Sequence, residues 1–205
     1  MRPDEIPIRL VIVGCGALAR ELLAITAGIP GVRVEGVDAR LHMRPQLIAD
    51  AVAAKVEVVR ERYGSDVGIF VAYADCGTAG TLDAYLEGEG LARIEGAHCY
   101  EFYAGAAAFD ALQEEELGTF YLTDFLARQF ESIIVAGLGL DRHPELLPMY
   151  FGNYRRLVYL AQTDDPELTA KARAAADRLG LDFERRPTGF GDLAPTIQAA
   201  IHVGS

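Results

Sequence analysis

Ile8 to Ala27, IRLVIVGCGALARELLAITA, is the stretch that decides the fold. Its first half, Ile8 to Val13, is a β-branched apolar run of the kind that forms a strand buried in a parallel sheet. Its second half, Ala17 to Ala27, reads as a helix closed by Pro30-Gly31. Gly14-Cys15-Gly16 makes the turn between them. Strand, glycine turn and helix form the opening unit of an α/β sheet, and the alternation repeats downstream. Further strands are expected over Val32 to Val37, Val67 to Tyr73, Ala92 to Ile94, Gly118 to Thr123, Leu157 to Leu160 and Asp182 to Arg185. Pro45 to Tyr63 is a long amphipathic helix, with Leu47, Ile48, Ala51, Val52, Val56 and Val59 on its buried side. Other helices are expected over Thr78 to Leu86, from Tyr100 to the acidic Glu114–Glu116, and over Asp124 to Phe130 and Leu193 to Ile201. Pro166 to Leu179 completes the set, with Thr163 as its N-cap. The pattern predicts a single three-layer, Rossmann-like α/β domain with a mainly parallel β-sheet over residues 1–205, with flexible ends at about 1–6 and 202–205.

Composition narrows the function. A chain of 205 residues with 51% apolar and 24% charged residues has ordinary globular usage and enough length for a substantial core. The net charge of −11, with no basic stripe, disfavours nucleic-acid binding, because the charge that would neutralise phosphates is missing. The longest apolar runs, Leu10 to Val13 and Ser132 to Leu140, fall far short of the roughly 20 residues of a membrane span. The N-terminus, MRPDEIPIRL, has no signal-peptide core or cleavage site. A cytoplasmic protein without membrane contact is therefore expected. In that reducing compartment three cysteines, an odd number, argue against a disulfide framework.

The placement of those cysteines is the main chemical signal. Cys15, Cys76 and Cys99 each follow an expected strand and precede an expected helix, and His42 occupies the same kind of exit after the second strand. In an open parallel sheet such exits converge on one edge, where ligands bind. A helix N-terminus favours a thiolate, which is both a metal ligand and a nucleophile. Glycine follows Cys15 and Cys76, which allows tight turns. Three cysteines and one histidine form an accepted tetrahedral zinc set, and three cysteines also suit an iron–sulfur centre. His98, Glu21, Asp75 and Glu101 compete with His42 for the fourth position, while His143 and His202 look peripheral. A single free cysteine is often just a small buried apolar residue, and the chain has no C-x-x-C. Three cysteines at equivalent topological positions carry the argument for a shared site.

A second signal occupies the same turn. Gly14, Gly16 and Ala19 fit G-x-G-x-x-A between strand and helix, and Asp38 ends the second strand. That is a dinucleotide-binding fingerprint, in which glycines admit a pyrophosphate and the acid binds a ribose hydroxyl. Nothing downstream resembles a hydride-transfer substrate domain. Thr119, Tyr121, Thr123 and Asp124, the Gln162–Asp165 stretch, and the loop Thr188 to Asp192 supply further polar groups at strand exits. The aromatics from Tyr150 to Tyr154 suit a core or a homodimer contact.

CGALARE, LHMRP, ADCGTAG, HCYEFYAG, GTFYLTDFLARQF and VYLAQTDD together resemble the family catalogued as domain of unknown function (DUF) 1638, over nearly the full chain. The resemblance implies that Cys15, His42, Cys76 and Cys99 are motif positions. It also implies a setting beside corrinoid proteins and methyltransferases of one-carbon metabolism. A corrinoid-binding D-x-H-x-x-G is absent from this chain. The leading expectation is a cytoplasmic metalloprotein holding zinc or an iron–sulfur cluster, acting on a small-molecule substrate or with a corrinoid or methyltransferase protein. Alternatives are a metal-free thiol enzyme with racemase-like two-cysteine chemistry, a non-catalytic partner of a methyltransferase system, and a dinucleotide-binding oxidoreductase.

Overall fold

Seven strands and the helices between them follow the expected alternation in a computed structural model that describes residues 6–203. In chain order they are β1 (Leu10–Cys15), α1 (Ala19–Ile25), β2 (Val32–Val37), α2 (Ile48–Tyr63), β3 (Gly68–Ala72), α3 (Thr81–Glu89), β4 (Ala92–Arg93), α4 (Cys99–Ala104) and α5 (Ala106–Glu115). Then come β5 (Thr119–Thr123), α6 (Asp124–Gln129), α7 (Leu147–Phe151), β6 (Arg156–Ala161), α8 (Pro166–Leu179), β7 (Asp182–Pro187) and α9 (Leu193–Val203). Of the ends expected to be flexible, about 1–6 and 202–205, residues 1–5 and 204–205 lie outside the described residues, while 202 and 203 continue α9.

Every strand pairing is parallel, and helices flank the sheets, so the chain has a Rossmann-like α/β fold. The strands divide between two sheets, ordered β2-β1-β3-β4 and β5-β6-β7. The chain correspondingly forms two compact units, one from residues up to Cys99 together with Leu193 onward, the other from Tyr100 to Asp192.

The first unit is built on β1, whose apolar run is buried throughout. Ile48, Val52, Val56 and Val59 of α2 are buried at helical spacing, as the sequence pattern requires. α9 packs on α1 with Leu193, Ile197 and Ile201 buried. The order β2-β1-β3 places the crevice of this sheet at the ends of β1 and β3, where successive crossovers leave in opposite directions.

The second unit has its own core, in which Leu122, Leu157, Tyr159, Leu168 and Ala172 pack with Phe130 and Phe151. Phe151 and Tyr154 both stack edge-on against Phe120. Met149 and Tyr150 remain exposed.

Several local boundaries differ from expectation. α3 starts at Thr81 and not Thr78, because Ala79 and Gly80 are left-handed and the preceding loop folds on Asp75. Gly105, at φ 81°, breaks the helix after Cys99 into α4 and α5. The N-cap of α8 is Asp165, which accepts from the N–H groups of Glu167 at 2.8 Å and Leu168 at 3.2 Å. Thr163 instead donates its hydroxyl to Asp124 at 2.5 Å. Beyond α6, Phe130–Val135 forms a π-helical turn that keeps Phe130, Ile134 and Val135 buried. No described helix is long and apolar enough to cross a membrane.

Candidate metal centre

Cys15 is the last residue of β1 and is buried, with its Sγ accepting the Ala17 N–H at 3.4 Å. Gly14 and Gly16 make this turn possible for steric reasons. A Cβ on Gly14 would lie 2.4 Å from Leu22 Cδ1, and one on Gly16 would lie 3.0 Å from the Val37 carbonyl. The cysteine turn therefore presses directly on the end of β2. From there Asp38 caps a 3-10 turn, Ala39–Met43, by accepting the Arg40 N–H at 2.9 Å, and it ion-pairs with the Arg40 guanidinium. The carboxylate proposed for a ribose hydroxyl is thus engaged within its own turn.

That turn brings His42 back over β1. Its Nδ1 lies 3.8 Å from Cys15 Sγ and 3.0 Å from the Ala39 carbonyl. A carbonyl only accepts, so the Nδ1 proton points to it, which orients the ring. His42 is exposed on its outer side and stacks inward on Tyr73, with ring centroids 6.0 Å apart and planes 17° apart. Burial of the ring's inner side lowers its basicity. Hydrogen bonding to Cys15 and Cys76, reinforced by their charge, more than reverses this and pushes the pKa up to about 11. Without a metal, the two cysteines therefore favour the protonated form of the imidazole.

Cys76 leaves β3 on a loop held by Asp75. The Asp75 carboxylate accepts the Thr78 hydroxyl at 2.6 Å and the N–H groups of Gly77 and Gly80, each at 3.2 Å. The Thr78 hydrogen bond is the largest cause, and with the loop N–H groups it outweighs burial and holds Asp75 below the usual carboxylate range. Cys76 itself has φ 50°, left-handed for a residue with a Cβ, at a cost of roughly 1–2 kcal/mol. The Asp75 bonds offset that cost. Asp75 N–H and Cys76 N–H donate to the carbonyls of Gly96 and Ala97, at 3.1 and 2.8 Å. These bonds bring the Cys76 loop alongside the segment that leads to Cys99.

Cys15, His42, Cys76 and Cys99 thus meet around one cavity of about 10 Å³, walled also by Ala17, Leu18, Tyr73 and Ala74. Glu21, Asp75, His98 and Glu101 are not in its lining. The residue that sequence reasoning missed is Tyr73. It is fully buried, and among the described residues its hydroxyl has no hydrogen-bond partner. Burial first, then the charge and proximity of Cys15, with smaller effects from Cys76 and Cys99, hold it protonated far above the ordinary tyrosine range. Cys15 lies close enough to exert this effect without meeting the geometry of a hydrogen bond. In FVAYADCG the tyrosine follows a run of small and β-branched residues, three positions before a cysteine, and that was its only sequence signal.

The second unit holds a separate polar cluster at its own strand exits. Asp124, fully buried, accepts from Tyr159 Oη at 2.6 Å, Gln162 N at 3.1 Å and Thr163 Oγ1 at 2.5 Å. Gln162 Oε1 accepts the Asp124 N–H at 2.6 Å in return. These residues tie β5 to β6 within the second unit.

Residues 37–197, most of the chain, match the family described as protein of unknown function (DUF1638). The chain belongs to that family. The DUF1638 match contains His42, Cys76 and Cys99, while Cys15 lies before its start. No curated protein and no solved structure matches the chain.

Proposed function

We propose that this DUF1638 protein is a cytoplasmic metalloprotein whose first unit holds a single thiophilic metal ion, zinc foremost, through Cys15, Cys76 and Cys99 with His42 as fourth ligand. The observation that carries this reading is the meeting of three thiols and one imidazole, from separate strand exits, around a cavity of about 10 Å³. Four protein donors around one point match a single ion, which puts zinc ahead of the iron–sulfur alternative in this reading. The donor set is one that zinc takes in tetrahedral sites. The Ala39 carbonyl on Nδ1 is the kind of backbone partner that orients a ligating histidine. Among the described residues no three such side chains are already gathered as a metal-binding group. Loading therefore calls for side-chain rotation, for which the partly buried Cys76 and Cys99 have more room than the buried Cys15.

Bound there, a zinc ion would supply Lewis acidity and keep its sulfur ligands as thiolates. Such a thiolate would suit methyl transfer to or from a small molecule, or beside a corrinoid or methyltransferase protein. Exposure of His42 makes it the ligand that an incoming donor atom would replace most easily.

One observation favours the metal-free thiol reading as the second choice. Cys15 Sγ and His42 Nδ1 lie 3.8 Å apart, which puts an imidazole of raised pKa beside a buried thiol, the pairing that nucleophilic thiol catalysis uses. Elemental analysis of untagged protein purified without oxygen separates the two. About one equivalent of zinc, lost in Cys76→Ser, is expected; metal-free protein with three readily alkylated thiols would move thiol catalysis to the front.

A further inference from the structure

The Tyr73 hydroxyl stands in a position that the fold alone does not explain. Tyr73 is 0% exposed, and among the described residues nothing accepts its proton. A phenylalanine would fill the same volume against His42 without burying an unpaired O–H, so the hydroxyl is a burden to the metal-free fold. Its ring lines the cysteines' cavity, and the groups it senses electrostatically are Cys15, Cys76 and Cys99. What it lacks is an acceptor brought into line.

A dication held by three thiolates and a neutral imidazole leaves one net negative charge on the sulfurs, in a buried place. Donors to sulfur are what make such a charge tolerable. Cys15 Sγ already receives one, from the Ala17 N–H at 3.4 Å. We propose that Tyr73 is the second: a positioning residue that donates its hydroxyl to a cysteine sulfur when the metal is bound, and so sets metal affinity and thiolate nucleophilicity. This rests on the metal reading above. It assigns the phenol a role that appears only when rotation of the thiols brings a sulfur lone pair onto the O–H.

The test is Tyr73→Phe, with Co²⁺ as the spectroscopic probe for both proteins. The wild type is expected to bind one Co²⁺ with an intense sulfur-to-cobalt charge-transfer band. The variant is expected to bind it about tenfold more weakly, with a shifted band. Metal-free Tyr73→Phe is expected to melt at the same temperature or higher, since it loses only an unpaired hydroxyl. Equal affinity and an unshifted band would overturn the role of Tyr73 and leave the metal site standing. Marked destabilisation of the metal-free variant would assign Tyr73 to the fold and also overturn it. Failure of the wild type to bind Co²⁺ or Zn²⁺ would overturn the metal reading and this inference together.

Discussion

Asp124 and Tyr73 are both fully buried, yet their polar atoms are treated in opposite ways. Asp124 collects a phenol, a backbone N–H and a threonine hydroxyl, and Arg128 Nη2 lies 3.6 Å from it. A buried carboxylate with that many donors acts as a clamp, and removing it strands every donor at once. Asp124→Ala should therefore cost roughly 3–5 kcal/mol of stability, read from a urea titration. Thr163→Val, which removes one donor and leaves the rest, should cost only about 1 kcal/mol. Equal losses in the two variants would show that the cluster does not work as a unit. Tyr73 has no such partners, and a site that must still change state is where an unsatisfied group belongs.

At the scale of elements, β4 is the weakest piece of the first sheet, with only Ala92 and Arg93 in register on β3. Its anchor is a two-pronged bond, Arg93 Nε and Nη2 to Asp83 of α3 at 2.5 and 3.0 Å. The Arg93 hydrogen bond, aided by its charge and only partly opposed by burial, lowers the Asp83 pKa. A carboxyl whose folded pKa is depressed contributes stability above its unfolded value, and loses it as pH falls through the lower folded value. Asp83→Asn should cost up to about 1 kcal/mol at neutral pH, because the carboxylate is half exposed. The gap from wild type should close as pH drops below about 4. A gap that stays constant with pH would place the effect in packing. The elements themselves were largely legible: β2 and α8 run between the residues that alternation and capping chemistry suggest. What the pattern could not show was pairing. Seven strands of similar composition do not reveal that β4 and β5 belong to different sheets. Nor does a proline-led start reveal which upstream side chain caps α8. The cysteines and His42 were legible as strand exits, because topology alone carries those to one edge. Tyr73 was not, since its importance lies in a missing partner, and a sequence does not display missing partners.

Over the whole molecule, the first unit carries the cysteines and the second carries its own core and polar clamp. A metal that binds only the folded first unit should stabilise it by about 2.7 kcal/mol when free zinc is a hundred times its dissociation constant. Hydrogen exchange locates that effect: amides of residues 10–99 and 193–203 should slow on adding zinc, and those of 100–192 serve as the internal control. Slowing confined to 100–192 would place the ion elsewhere.

α9 has a consequence for the order in which the chain is made. Leu193, Ile197 and Ile201 are buried in the unit that also contains β1, although the whole second unit is encoded between them. Translation therefore delivers every residue of the second unit before the helix that completes the first. A nascent chain passes through a stage in which its three thiols stand on an unfinished core. The first unit can therefore reach its native core only after the whole of the second has been synthesised.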